Sequence, residues 1–393
     1  MRLDFLRSLY EDGGSRANRG NGEFGTRYVS LYLDVTPTKQ DAATEVALRW
    51  RAARERLAAA GADAATLDAV EQAATRREHG VSGRAIFARD GAVRFEGALP
   101  WPPRQELANL APLPHVMPWL AQLPAQVPHV RVAAGRAGAQ VLAVPAARTA
   151  PETSSTETTV EGTPWPVHKV STGGWSEQRL QRSTEENWAA NAKRIAGAAV
   201  AEAERSHAEF LVIGGDVRER SMVVDLLPPP LRAATVTVDR EVAADDAAFA
   251  EAARTEEERR RAQEDRALLD ELRTRLAGPG AEERRAVTGL AGTLAALRDG
   301  LASDVLLIDE PSWDPPAVWA GPDLADVATE RAALAERGVT ALLQARADAA
   351  VVRAVAGTGA ELHLVPAELA GEAGEADAAG QIAALLRAPA AAF

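Results

Sequence analysis

Thr172 to Arg182 reads TGGWSEQRLQR, two adjacent glycines and a tryptophan followed by a glutamine among guanidiniums. Adjacent glycines reach positive φ without steric cost and let backbone lie close against another surface. Trp175 offers a stacking face to a nucleobase. Gln178 carries both a donor and an acceptor. Lys169, Arg179, Arg182, Lys193 and Arg194 give five positive charges, and Glu177, Glu185 and Glu186 subtract three, a local balance of +2. That combination suits contact with phosphate and with crowded RNA. Read from composition alone, the same residues are a surface loop that caps a helix.

Other chemistries find little support. The chain has no cysteine, which removes disulfides, thiolate nucleophiles and Cys-ligated metals. The six histidines, His79, His115, His129, His168, His207 and His363, are scattered, with no H-E-x-x-H, so no metal site is expected. There is no G-x-S-x-G and no G-x-x-x-x-G-K-[ST]. Gly357-Thr358-Gly359 precedes a strand instead of following one, the wrong order for a dinucleotide loop, and reads as a helix stop. No cofactor is expected.

A chain of 393 residues can bury a sizeable core. Its net charge is −12, so whole-chain electrostatics oppose nucleic acid and any RNA contact must come from a local basic patch. No run approaches the roughly 18 apolar residues of a membrane span, and MRLDFLRSLYEDGG is too short and charged for a signal peptide, so a cytoplasmic protein is expected.

These residues must be positioned by regular elements. Tyr28 to Val35 alternates as a strand, and Val46, Trp50, Ala53 and Leu57 recur at helical spacing. GRAIFARDGAVRFEG predicts a hairpin turning at Asp90-Gly91. Residues 100–128, rich in proline, read as an irregular connection or boundary. VRVAA and AQVLAV are two strands joined across Gly135 to Gly138, and TSSTETTVEG is a third. Ser183 and Glu186 have capping-box spacing ahead of an apolar stripe of Trp188, Ala192, Ile195 and Ala199, which predicts a helix over about 183–206 fed by the Gly-Gly loop. EFLVIGGD, VRERSMVVDLL and TVTVD continue a strand, helix, strand alternation. Residues 241–277 predict a charged, solvated helix with an apolar side of Leu269, Leu272 and Leu276. Beyond Gly278-Pro279-Gly280, Leu290, Leu294 and Leu297 mark a helix. DVLLID, GVTALL and AELHLV predict parallel strands, and the Ala/Gly-rich end predicts one helix and a frayed tail.

In segment order and motif the chain resembles the archaeal and eukaryotic class 1 release factors and Pelota, and more closely the bacterial release-factor-like branch that includes Balon-like hibernation factors. VRVAAGRAGAQVLAV followed by VHKVSTGGWSEQRLQRSTEENW carries the likeness, with Gly173 and Gly174 matching the family's two glycines. RRAVTGLAGTLAALRDGLASDVLLIDE and AVAGTGAELHLV resemble its L7Ae-like third domain. The resemblance implies an α/β protein of three domains: an N-terminal α+β domain (1–126), a middle RNase H-like α/β domain carrying the Gly-Gly loop (127–279), and a C-terminal L7Ae-like α/β/α domain (280–393).

Two departures bear on function. Trp175 stands where the family has its water-placing glutamine, with Gln178 three residues on, and the codon-reading NIKS motif is absent. The resemblance thus implies a tRNA-shaped, monomeric binder of the 70S ribosome's A site, acting in hibernation or stress without stop-codon reading. Lys169, Gly173, Gly174, Trp175, Gln178, Arg179 and Arg182 would face rRNA at the peptidyl-transferase centre. An elongation-factor GTPase is the implied delivery partner. One alternative is a ribosome-dependent peptidyl-tRNA hydrolase with Gln178 as its catalytic residue. Another is an interaction protein that reuses the fold away from ribosomes.

Overall fold

The computed structural model describes residues 1–11, 27–36, 42–76, 81–99, 101–123, 127–135, 138–144, 156–161, 175–239, 246–277, 284–310, 313–372 and 381–389. The chain divides into two compact units. One joins Met1–Leu123 to Glu264–Phe393, and the other is Pro124–Gln263.

The first unit opens with α1 (Arg7–Tyr10), β1 (Tyr28–Asp34), α2 (Ala42–Ala59), α3 (Ala64–Ala74), β2 (Gly83–Arg89), β3 (Ala92–Leu99), β4 (Leu107–Ala111) and α4 (Met117–Leu120). The strands form an antiparallel sheet in the order β3-β2-β1-β4. Successive side chains of a strand point to opposite faces, and β1 uses both. Val29, Leu31 and Leu33 pack with Trp50 and Leu57 of α2 and Leu67 and Val70 of α3. Tyr28 and Tyr32 turn the other way, into the core shared with the last third of the chain. The β2–β3 hairpin turns at Asp90 and Gly91, both with positive φ (52° and 72°), the pair of values a type I′ turn requires. The proline-rich stretch is more ordered than its composition predicts. β4 pairs with β1, and Leu113, Val116, Trp119 and Leu120 are buried. Its described prolines fall beside these elements or at a helix start, where no ladder donor is lost.

The second unit holds β5 (His129–Gly135), β6 (Gly138–Val144), β7 (Thr156–Glu161), α5 (Trp175–Ser206), β8 (Phe210–Gly215), α6 (Val217–Leu226), α7 (Pro229–Ala233), β9 (Thr235–Val238) and the start of α8 (Ala247–Leu276). Its sheet order is β7-β6-β5-β8-β9, with β5, β8 and β9 parallel and β6 and β7 antiparallel. Val130, Val132, Leu211 and Ile213 meet Ala192, Ile195 and Ala199 of α5 on one face. Phe210 and Val212 meet Phe249 and Ala253 of α8 on the other. So α8 is no merely solvated helix. Phe249 and Ala253 are core here, and Leu269 and Leu272 are core in the first unit. Its ion pairs, Arg260 to Glu256 at 2.8 Å among them, occupy the remaining surface.

The first unit resumes with β10 (Ala286–Thr288), α9 (Gly289–Arg298), β11 (Ala302–Asp309), β12 (Ala317–Ala320), β13 (Val327–Ala328), α10 (Arg331–Ala335), β14 (Leu343–Arg346), α11 (Ala347–Thr358), β15 (Glu361–Pro366), α12 (Ala367–Glu372) and β16 (Ile382–Leu386). The order β10-β16-β11-β15 is mixed, because only β11 and β15 run parallel. Three sequence expectations change here. IAALL, expected in a terminal helix, is the fully buried strand β16. A short apolar run has no periodicity to separate helix from strand, and pairing with β10 and β11 outweighs the helix propensity of Ala and Leu. GVTALL, expected as a strand, supplies only its last residue, since pairing with β12 falls on Leu343–Arg346. The parallel-only sheet becomes mixed because β16 returns antiparallel. Gly359 does stop α11 in the left-handed conformation, φ 69°.

The helix α11 is buried on every side from Ala347 to Ala356. Two charged residues on it are therefore paired. Asp348 accepts from His115 Nε2 at 3.1 Å and from the Arg346 guanidinium at 3.2 Å. Burial alone would raise the Asp348 carboxyl, but these partners more than offset it and hold it below the usual carboxylate range. A depressed folded-state pKa contributes stability that is present above the unfolded value and lost as pH falls through the folded one. Wild type should therefore lose stability as pH falls below the ordinary aspartate value near 4. Asp348→Asn should flatten that slope, as read by urea unfolding at pH 5 and pH 3; an unchanged slope would contradict the assignment.

Candidate functional site

In contrast to the expected start near Ser183, α5 begins at Trp175. SEQRLQRS contains no breaker and is rich in Glu, Gln, Arg and Leu, so the helix continues through Ser183, which is an interior residue and not a cap. Trp175, Gln178, Arg179 and Arg182 thus lie on the opening turns of a 32-residue helix. Lys169, Gly173 and Gly174 lie outside the described residues.

The backbone gives these positions an address. Asn191 is the first buried residue among those of α5 whose burial is described, and the packed stripe runs on through Ala192, Ile195, Ala199 and Ala203. At 1.5 Å per residue, Trp175 is about 24 Å along the helix axis from Asn191. Trp175, Arg179, Arg182, Glu186 and Lys193 recur at one helical phase. Glu186, Ala189, Ala190 and Lys193 are exposed on that stripe. Three cations and one carboxylate give it +2, opposite in sign to the chain as a whole. Gln178 falls at the edge of the stripe, toward the phase of Ala189.

Where α5 meets α6, the Arg218 guanidinium stands 4.1 Å over the half-buried ring of Trp188. Asp216 caps α6, accepting from the Arg218 and Glu219 amides at 3.0 and 3.2 Å. Arg220 is tied to Val238 O and Asp239, both at 2.6 Å. Glu219 is buried, and burial, with the Asp216 carboxylate beside it, pushes its carboxyl above the usual range. The sequence places Trp188 in the apolar stripe but gives no sign of Arg218, which comes from the next crossover.

On the opposite sheet face His129 is fully buried and stacks on Phe210, centroids 4.8 Å apart. Arg131 Nε donates to His129 Nε2 at 3.1 Å, so Nδ1 carries the proton and donates to Val127 O at 2.9 Å. Glu257 Oε1 stands 3.4 Å from the same Nδ1. Both ring nitrogens have partners, and the cluster ties β5 to α8.

A glutamine amide is too weak to act as a general base unaided. Among the described residues, no helix is long and apolar enough to cross a membrane.

Residues 128–278 match the family described as "Bacterial archaeo-eukaryotic release factor family 2", and the segment that carries α5 is release-factor-like. The Mycobacterium tuberculosis (strain H37Rv) protein described as "Uncharacterized protein Rv2629" is 27% identical over 341 residues, spanning 85% of this chain and 88% of the relative. Among solved structures, archaeal Pelota in a ribosome-bound model with ABCE1 is 14% identical with a TM-score of 0.39, over 98% of this chain and 94% of that one. The archaeal translation termination factor aRF1 is 16% identical with a TM-score of 0.24, over 93% of both.

Proposed function

We propose, from the release-factor-like character of residues 128–278, that the protein is a ribosome-associated translation factor that enters the A site without reading stop codons, in the manner of a Balon-like hibernation factor. One observation carries the reading: within the matched segment Gly173-Gly174 immediately precedes a 32-residue helix whose first residue is Trp175. A diglycine that directly precedes Trp175, itself about 24 Å along the helix axis from Asn191, suits a finger that reaches into an RNA-lined pocket. Trp175 in the glutamine's place favours stacking over water placement. The +2 stripe on α5 supplies local positive charge within a chain of net charge −12.

The remaining assignments follow the same reading. Lys169, Gly173, Gly174, Trp175, Gln178, Arg179 and Arg182 face rRNA, and residues 127–279 act as the module that carries them. The partner that delivers the protein is an elongation-factor GTPase, as the family resemblance implies. The site of action is the cytoplasm.

Sedimentation tests this directly. Wild type should travel with 70S ribosomes from stationary-phase cells. Arg179→Glu/Arg182→Glu changes the local charge by −4 and should weaken association at least tenfold, with a shallower salt dependence. Absence of wild type from the 70S fraction under every stress condition would refute the proposal. The hydrolase reading rests on Gln178 in the helix's first turns. It predicts peptide release from stalled ribosomes that Gln178→Ala abolishes, and release at background level would exclude it.

A further inference from the structure

The chain spacing of the histidines hides a convergence that the first unit's sheet creates. In the parallel pair β11–β15, Asp304 is in register with Glu361, and His363 follows two residues on. All three side chains therefore share one sheet face. It is the face on which Leu306 and Val365 pack against Leu269 and Leu272 of α8, and the three polar residues stand at its rim.

We propose that Asp304, Glu361 and His363 form a binding site for a divalent transition-metal ion. One ligand atom from each lies within 4.8 Å of the other two. His363 Nε2 and Asp304 Oδ1 are 3.0 Å apart. Two donors bound at about 2.1 Å to one tetrahedral ion stand about 3.4 Å from each other, so this pair need open by only about 0.4 Å to form an edge of the coordination shell. The Glu361 side chain is 45% exposed and can rotate to close the third position. Asp304 and His363 are 26% and 25% exposed, which leaves the site open to solvent for entry and for water ligands.

The donor set selects the ion class. Imidazole with two carboxylates suits Zn²⁺, and its divalent transition neighbours, over the all-oxygen preference of Mg²⁺ and Ca²⁺. Charge agrees with it. Two carboxylates face one ammonium, that of Met1, 4.0 Å from Glu361, which also donates to Leu362 O at 2.6 Å. The Arg275 guanidinium acts on Asp304 but is itself bonded to Glu271 at 2.5 Å and to Leu386 O at 3.2 Å. The competing account is a plain His363–Asp304 hydrogen bond that clips two strands and uses no ion. Such a clip has no need of Glu361.

That difference sets the test. Tag-free full-length protein, stripped with chelator, is titrated with Zn²⁺ by calorimetry, with Mg²⁺ as control and with Glu361→Gln and His363→Gln alongside. Glu361→Gln leaves the His363–Asp304 hydrogen bond in place and should fold as wild type does. Wild type should bind one equivalent of Zn²⁺ saturably and not Mg²⁺. Each variant should bind at least about tenfold more weakly, since even outer-shell changes at metal sites cost that much. Zn²⁺ should raise the melting temperature of wild type more than that of Glu361→Gln at the same concentration. No saturable one-equivalent binding, or wild-type affinity in both variants, would overturn the proposal.

Discussion

Replacing Gly215 by alanine should destabilise the second unit by about 3–6 kcal/mol, from a strained φ and a steric clash acting together. Gly215 ends β8 with φ 113°, a region that L side chains rarely adopt. A Cβ there would lie 1.8 Å from Ala134 O, 2.8 Å from its carbonyl carbon and 3.0 Å from its nitrogen. These are backbone atoms of the neighbouring strand, paired in register with Gly215, so they have no rotamer by which to yield. The same carbonyl accepts the Asp216 amide at 3.1 Å, and Asp216 caps α6. A shift would therefore loosen the cap as well as the sheet. Against a typical total of 5–15 kcal/mol, this loss unfolds a large share of molecules. Gly61→Ala is the control. Its φ is 97°, and nothing lies within 4 Å of an added Cβ. It should cost about 1 kcal/mol, the strain without the clash. Hydrogen exchange across β5 and β8 measures the first and urea unfolding the second. Equal effects would show that the close approach to Ala134 is relaxed in solution.

The second large effect is at Arg353. This residue sits within a helix buried on all sides, and its guanidinium reaches the loop after β12. It donates to Gly321 O at 2.8 Å, to Pro322 O at 2.9 Å and to Leu324 O at 3.4 Å. Burial lowers its pKa, an effect countered by Tyr10 and by Asp326, but an arginine stays charged at neutral pH. Arg353→Met preserves most of the apolar stem and removes every donor. Carbonyls that lose their partners in a buried site cost about 1–3 kcal/mol each, less where water enters, so a total near 3 kcal/mol is expected. Arg353→Lys should recover only part, because an ammonium cannot reproduce the fork that spans three carbonyls. Chemical denaturation of the three proteins reads this order, and a Lys variant as stable as wild type would show that charge alone is required.

Local chemistry explains what the sequence reveals and what it conceals. The β2–β3 hairpin is legible because Asp90-Gly91 is the residue pair that tolerates two successive positive φ values. The strand β8 is legible as an apolar run closed by two glycines, and Gly359 as a helix stop. By contrast, β16 is composed of helix-favouring residues whose strand state depends on β10 and β11, about a hundred residues distant in the first case. The capping spacing of Ser183 and Glu186 is real, but nothing upstream stops the helix, so it begins eight residues earlier. The Gly-Gly signature is readable as a motif because its residue types are contiguous. The Asp304, Glu361 and His363 group is invisible along the chain, since fifty-seven residues separate the two strands' contributions and only their register unites them.

The first unit is built from the two ends of the chain, with Pro124–Gln263 intervening. During synthesis the sheet of β1 to β4 therefore emerges long before its covering partners. Tyr28, Tyr32 and Phe87 face a core completed by Val352, Leu364 and Ile382. Until those last residues leave the exit tunnel, that aromatic face has no native cover, whereas the contiguous second unit has all of its strands. Nascent chains should thus acquire the contiguous second unit first and the first unit only after Ile382 has emerged. An incomplete polypeptide carries a sticky surface suited to chaperone capture, and the long sequence separation of these contacts makes closure the slow event.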